Sequence, residues 1–208
     1  MAERKRLKAP RLETARLVLR PITRRDIPFL LKLFGRPETL RYVRDEPLET
    51  LAQAQALYDE GMRPVPTRFR LVATLRETGE PIGTLGMFLY DAENGSAHIG
   101  YDLLKEHWGN RYMTEAVRAL LEWGVTAGGI NRIQGNADLR NSASLRVMER
   151  IGMRRELVMR QVTFFKGAFR DIVFYSYLKE DMARENAAKK SHGTGKEDRP
   201  GARGRRRP

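Results

Sequence analysis

Hydrophobic and polar positions change period several times along this chain, and each change marks an element. Leu12 to Arg20 reads as one strand that stops at Pro21. Thr23 followed by Asp26 is a capping-box pattern, opening a short helix that reaches about Phe34. A second helical stretch covers Leu48 to Met62, closed by Gly61 and Pro64. Apolar residues then mostly alternate from Phe69 to Arg76, and after Thr78-Gly79 a second strand covers Ile82 to Tyr90. Asn94-Gly95 predicts a two-residue hairpin with both residues at positive φ, leading into Ala97 to Leu104. The three strands predict an antiparallel meander.

The period then lengthens. Ala116, Val117, Leu120, Leu121 and Gly124 form one stripe of a helix over Thr114 to Ala127, closed by Gly128-Gly129. Arg132 to Asp138 reads as a short strand. Asn141 caps a further helix whose expected buried face is Ser144, Val147, Met148 and Ile151, closed by Gly152. Leu157 to Phe165 and Phe169 to Leu178, joined at Lys166-Gly167, predict a terminal hairpin. Its aromatic residues Phe164, Phe165, Phe169, Phe174, Tyr175 and Tyr177 read as core and sheet face. This order predicts an α/β (α+β) domain, a mixed sheet with helices packed on its faces.

Composition narrows the picture. At 208 residues and 41% apolar content, one domain with tails fits best. The net charge of +13 is uneven: residues 1–11 carry +4 and residues 183–208 carry +6, leaving +3 for residues 12–182. The expected organisation is a basic N-terminal arm (1–11), a domain (12–182) and a basic tail (183–208). The tail lacks Leu, Ile, Val, Met, Phe, Tyr and Trp, so it is expected to be disordered. Its charge suits contact with RNA, ribosomes or acidic lipid, or serves solubility alone. The absence of Cys excludes disulfides and thiolate chemistry, and three His argue against a histidine metal cage, so no metal is expected. No stretch approaches a membrane span and no apolar signal core follows the basic N-terminus. A cytoplasmic protein without membrane contact is expected.

The segment richest in chemistry is Leu103-Leu104-Lys105-Glu106-His107-Trp108-Gly109-Asn110-Arg111-Tyr112-Met113-Thr114-Glu115-Ala116. A strand ends, Gly109 turns the chain, and an amphipathic helix begins. Free N–H groups and the helix dipole make such a start suitable for phosphate. Gly109 lets the backbone approach an anion without a Cβ between them. Trp108 beside it reads as a packing residue.

Four stretches carry a family resemblance: Leu12 to Pro21, Ile99-Gly100-Tyr101 through Ala116, Asn141 to Met153, and Gly167 to Asp171. In these residues the chain resembles the GNAT superfamily of acyl-CoA-dependent N-acetyltransferases. The closest likeness is the RimJ/RimL branch, which acetylates N-terminal amines of ribosomal proteins. The resemblance spans roughly Leu12 to Met182. It implies a mixed, mostly antiparallel seven-stranded sheet whose fourth and fifth strands splay to admit the pantetheine arm of acetyl-CoA. It also implies that the backbone of Leu103 and Leu104 holds the pantetheine and polarises the thioester carbonyl. The N–H groups of Trp108, Gly109, Asn110, Arg111, Tyr112 and Met113 would hold the pyrophosphate, Thr114 would also lie at the cofactor, and Asn141 would bond the pantetheine or fix the strand end. One departure is Arg111, where the family usually has Gly or Ala.

Acetyl transfer needs a neutral amine. At pH 7 about a tenth of α-amines are neutral, against well under a thousandth of lysine amines, a gap of about 3.4 kcal/mol. An enzyme for α-amines therefore manages with a weak base or water. His98 stands where relatives often place a strand Glu just before Ile-Gly-Tyr, and reads either as that base or as an outward strand residue. For the leaving thiolate, the family's usual tyrosine position holds Met148. The RimJ/RimL likeness points instead to the Ser144 hydroxyl, which also suits a helix's first turn. The acceptor is expected to be a protein N-terminus. The alternatives are a small-molecule amine, or a non-catalytic RNA- or ribosome-associated module. A monomer or a homodimer is expected.

Overall fold

The computed structural model describes residues 7–193. What reads as one initial strand is a hairpin of β1 (Leu12–Glu13) and β2 (Leu17–Pro21). Thr14 folds the chain: its Oγ1 accepts from the Leu17 amide (2.9 Å) and its own amide donates to the Leu17 carbonyl (2.9 Å). After a 3₁₀ turn, Arg24–Asp26, come helix α1 (Ile27–Phe34) and helix α2 (Leu51–Leu57). The meander follows as β3 (Phe69–Leu75), β4 (Pro81–Asp91) and β5 (Ser96–Leu103), paired antiparallel as expected. Helix α3 (Tyr112–Val125), β6 (Arg132–Asp138), α4 (Ser142–Arg150), β7 (Arg154–Phe165), β8 (Ala168–Leu178) and α5 (Lys179–Gly193) complete the chain. The split at Thr14 raises the expected seven strands to eight, ordered β1-β2-β3-β4-β5-β6-β8-β7. Among the described residues only β5 and β6 pair in parallel.

Alternation along the strands builds two cores, one on each face of the sheet. Leu17, Leu19, Leu71, Leu85, Ala97 and Ile99 meet α3 and α4 through Met113, Val117, Leu120 and Met148. Val72 and Leu104 meet α1 and α2 through Leu30, Leu33 and Ala54. Consecutive residues of a strand thus serve opposite layers.

Several expectations are corrected here. The Asn94-Gly95 turn is a four-residue connection, because Asp91 pairs with Ser96. The Asp91 carboxylate accepts from the amides of Glu93 (2.9 Å) and Asn94 (3.0 Å), and only Gly95 takes positive φ (59°). Of the N-terminal arm the described part begins at Leu7, which is buried and whose amide donates to the Pro66 carbonyl (3.1 Å). The segment from Ala183 is helical as far as Gly193, as part of α5. Its Ala, Glu, Lys and Arg residues are strong helix formers. A Glu180–Arg184 pair lies along it, and Glu185 reaches Arg118 at 3.9 Å. The rest of the basic tail lies outside the described residues. Of the aromatic residues read as core and sheet face, Phe164 and Phe169 lie exposed and stack edge-on at 5.1 Å.

Candidate active site

Strands β5 and β6 pair only from Ser96↔Arg132 to His98↔Gln134. Beyond that they part, and a cleft of about 1180 Å³ opens between Ile99–Leu103 and Gly135–Asp138. Because strand residues alternate, each wall presents two chemistries. Tyr101 points to the α4 side, where it meets Ser144, while Asp102 points to the α1–α2 side, where it meets Arg70.

The start of α3 forms one end of the cleft through Trp108, Gly109, Arg111, Tyr112, Met113 and Thr114. Gly109 (φ 81°) and Arg111 (φ 61°) are both left-handed, which coils the loop tightly ahead of the helix. Arg111 is the N-cap and supplies no capping side chain. None of the backbone N–H groups from Gly109 to Thr114 has an acceptor among the described residues; the first to find one is Glu115, to the Arg111 carbonyl. The contrast with α2 and α4 is direct. There Thr50 and Asn141 accept from the third residue of the helix. Open amides at a helix start are an anion cradle, and a Cβ placed on Gly109 would meet nothing within 4 Å, so the approach is clear.

The cradle is held from behind. The Glu115 carboxylate accepts from Thr14 Oγ1 (2.6 Å), the Arg16 amide (2.9 Å) and Arg16 Nε (2.8 Å), while the Arg16 guanidinium lies 4.5 Å above the Tyr112 ring. Burial alone would raise the Glu115 carboxyl; the hydrogen bonds from Thr14 and Arg16, with the Arg16 charge, outweigh it and hold the group below the usual glutamate range.

On the α4 side, Tyr101 Oη lies 2.9 Å from Ser144 Oγ and 3.2 Å from the Ser144 carbonyl. Burial and the nearby Asp102 charge push the Tyr101 hydroxyl up to about 12 against the pull of Ser144, so it keeps its proton at neutral pH. On the opposite side, Glu38, Tyr42, Asp45, Arg70 and Asp102 line the cleft. Loss of water raises the Asp102 carboxyl even with Arg70 beside it.

The model of the GNAT acetyltransferase domain matches residues 16–154. The chain belongs to the GNAT acetyltransferase family. It is 33% identical over 176 residues to the uncharacterized N-acetyltransferase p20 of Bacillus licheniformis, covering 83% of this chain and 98% of that one. It is 21% identical over 155 residues to the spermidine N(1)-acetyltransferase of Escherichia coli K12, covering 74% of this chain and 82% of that one. Among solved structures, RimL, a ribosomal L7/L12 α-N-protein acetyltransferase in complex with coenzyme A, superposes with a TM-score of 0.68 at 22% identity. That likeness covers 79% of this chain and 95% of RimL, and concerns the fold. This GNAT protein is an acetyl-CoA-dependent N-acyltransferase.

Within this acetyltransferase the expected site residues divide. Leu103, Trp108, Gly109, Arg111, Tyr112, Met113, Thr114, Asn141 and Ser144 all line the cleft. Leu104 does not: its side chain is buried in the α1–α2 core and its amide donates to Ile82 (2.9 Å). Strand parity turned it away from Leu103. Asn110 is also outside the lining; its side-chain amide donates to His107 and Trp108, bracing the loop. Trp108 is exposed rather than packed, and its indole donates to the Leu103 carbonyl (2.9 Å), tying loop to strand. Asn141 spends its carbonyl on the Ser144 amide (3.1 Å).

His98 lies where β5 and β6 still pair, outside the cleft lining. Its Nε2 is 3.2 Å from Gln134 Nε2, and its ring packs 5.6 Å from Phe88. Burial and the Arg132 charge lower its pKa, so the ring is neutral at pH 7. Met148 is buried in the cleft wall and offers no proton. Sequence reasoning missed Tyr101 and Arg70. Tyr101 sits inside the Ile-Gly-Tyr motif and its parity opposite Leu104 was the available signal; Arg70 carried none, because it reaches the cleft only across β4.

Proposed function

We propose that the chain transfers the acetyl group of acetyl-CoA by direct attack of a primary amine, the favoured acceptor being the N-terminal α-amine of a protein of the ribosomal class. The observation that carries this is the run of unpartnered amides from Gly109 to Thr114, opening onto a cleft between diverging strands. These amides suit the pyrophosphate, and the free edges of β5 and β6 suit the pantetheine amides. The acetyl thioester supplies the activated carbon. The chain supplies orientation, exclusion of water and a hydrogen-bond donor to the departing sulfur, which leaves as the thiolate and takes its proton from solvent.

For that last role the Ser144 hydroxyl faces the cleft and is backed by Tyr101. A hydroxyl held by a second hydroxyl stabilises developing negative charge without being ionised itself. No base beyond water is required for an α-amine, whose ordinary pKa of about 8 leaves a useful neutral fraction at pH 7. Glu38, Asp45 and Asp102 on the acceptor side draw in a cationic amine. The same carboxylates favour a second reading, a small polyamine acceptor, which the spermidine-acetylating relative also supports.

The test is calorimetric titration with coenzyme A, followed by thiol release from acetyl-CoA against a panel of peptides and polyamines. Binding together with turnover on free-amine peptides supports the proposal. A protein that binds no coenzyme A, or turns over polyamines alone, refutes it.

A further inference from the structure

We propose that Arg70 selects acceptors carrying a carbonyl oxygen next to the reacting amine, the chemistry of a peptide N-terminus or an amino acid; this rests on the acetyl-transfer reading above. Arg70 stands on β3 and reaches across β4 to β5. Its Nε donates to Thr84 Oγ1 (3.1 Å), and its Nη2 donates to Asp102. Thr84 is fully buried and the Arg70 side chain is 16% exposed, so the guanidinium is fixed in plane and position.

That leaves Nη1, which has no acceptor among the described residues. A Cβ built on Gly100 would lie 3.4 Å from Nη1 and 3.1 Å from Phe88 Cε1. The free N–H group therefore lies directly over the backbone of β5, two residues past the last β5–β6 pair, where the acetyl group must arrive if the arm lies between the strands. Gly100 keeps that space open. Arg70, Gly100 and Asp102 all line the cleft on its acceptor side.

A planar, permanently charged donor fork, immobilised with one arm free, recognises an oxygen with lone pairs. A polyamine offers no such atom; it brings only ammonium groups, which the guanidinium repels. An α-amine attached to a carbonyl offers both halves: the carboxylates of Asp45 and Asp102 take the amine end, and Arg70 Nη1 takes the oxygen. Arg70 thus turns a generally acidic acceptor wall into one with polarity along its length, specifying an amine with an oxygen at a set offset.

The experiment compares kcat/KM for an alanine-led tripeptide amide with that for a diamine of similar length, in the native protein, Arg70→Lys and Thr84→Val, with coenzyme A affinity measured by calorimetry for each. Arg70→Lys keeps a cation for Asp102, but a single ammonium cannot hold Thr84, Asp102 and an acceptor oxygen together. The expected result is a native preference for the peptide, and a peptide-to-diamine ratio that falls about tenfold or more in Arg70→Lys. Thr84→Val, which loosens the guanidinium without removing it, gives a smaller fall in the same direction. Coenzyme A affinity stays at the native value in both. Equal losses on the two acceptors, or a native preference for the diamine, overturn the assignment of Arg70 while leaving acetyl transfer standing. Failure of the native protein to bind coenzyme A overturns the reading beneath it as well.

Discussion

Arg111 offers the sharpest test, because its backbone and its side chain make opposite demands. The residue caps α3 in the left-handed region (φ 61°, ψ 15°) and its side chain faces the cleft. A residue with a Cβ pays about 1–2 kcal/mol for that conformation. Glycine avoids the strain but loses about 0.5–1 kcal/mol to unfolded-state entropy. Arg111→Gly should therefore stabilise the ligand-free protein by about 0.5–1 kcal/mol, raising Tm by about 1–4 °C for a chain of this size. Arg111→Ala keeps the strain and should leave Tm near the native value. The side chain is exposed, so a contact between its guanidinium and a coenzyme A phosphate is screened and contributes about 0.5–1 kcal/mol. Both variants should weaken coenzyme A binding about two- to fivefold, with the difference shrinking at high salt. Scanning calorimetry without ligand and titration calorimetry at two salt concentrations read the two effects separately. A lower Tm for Arg111→Gly refutes the strain argument, and unchanged affinity in both variants removes the side chain from the phosphate site.

Ser144→Ala should lower kcat several-fold with little change in KM for acetyl-CoA, and Tyr101→Phe should do the same less severely; in the double variant the losses should not add, because the two hydroxyls act through one contact. Steady-state kinetics on the four proteins decide it, and additive losses contradict a shared role. Glu115→Gln should destabilise the fold by about 1–2 kcal/mol at pH 7, since the carboxylate anchors the β1–β2 turn through three hydrogen bonds. Because Glu115 is held below its ordinary value of 4.5, its stabilisation is complete above that pH and fades as pH falls through the lower folded value, so urea midpoints of native and variant should converge in acid. His98→Gln should retain the native pH profile of turnover from about pH 5 to 9; loss of the acid limb, where protonation silences a base, would restore His98 as that base.

Most of the fold was legible because each period belonged to one layer. The bounds of β6 were readable to the residue, since Ile133, Gly135 and Ala137 alternate with polar residues in a stretch bounded by Gly128-Gly129 and the Asn141 cap. The errors share a cause: a local signal overridden by a distant or side-chain partner. Leu12 to Arg20 looks continuous, but the Thr14–Leu17 hydrogen bonds turn the chain, and Glu115, a hundred residues on, holds that turn. Asn94-Gly95 has the composition of a tight turn, but the Asp91 carboxylate supplies the caps that widen it. For the site, position along the chain was easier to read than facing. Gly109 to Thr114 could be placed at a helix start, whereas Leu103 and Leu104 could be told apart only by knowing which core each strand face serves. Arg70 was out of reach, because its role depends on a strand register spanning β3, β4 and β5.

The separation of β5 from β6 inverts the usual geography of protection. In an ordinary sheet the rim frays while interior amides exchange slowest. Here the runs Ile99–Leu103 and Gly135–Asp138 turn bare backbone toward each other in the middle of the sheet. Deuterium should enter along this central seam before it enters β3 or the inner part of β8. A gap of this kind is also an invitation to any stray extended chain, so a bound arm that closes it would guard the molecule against misassociation as well as serving chemistry.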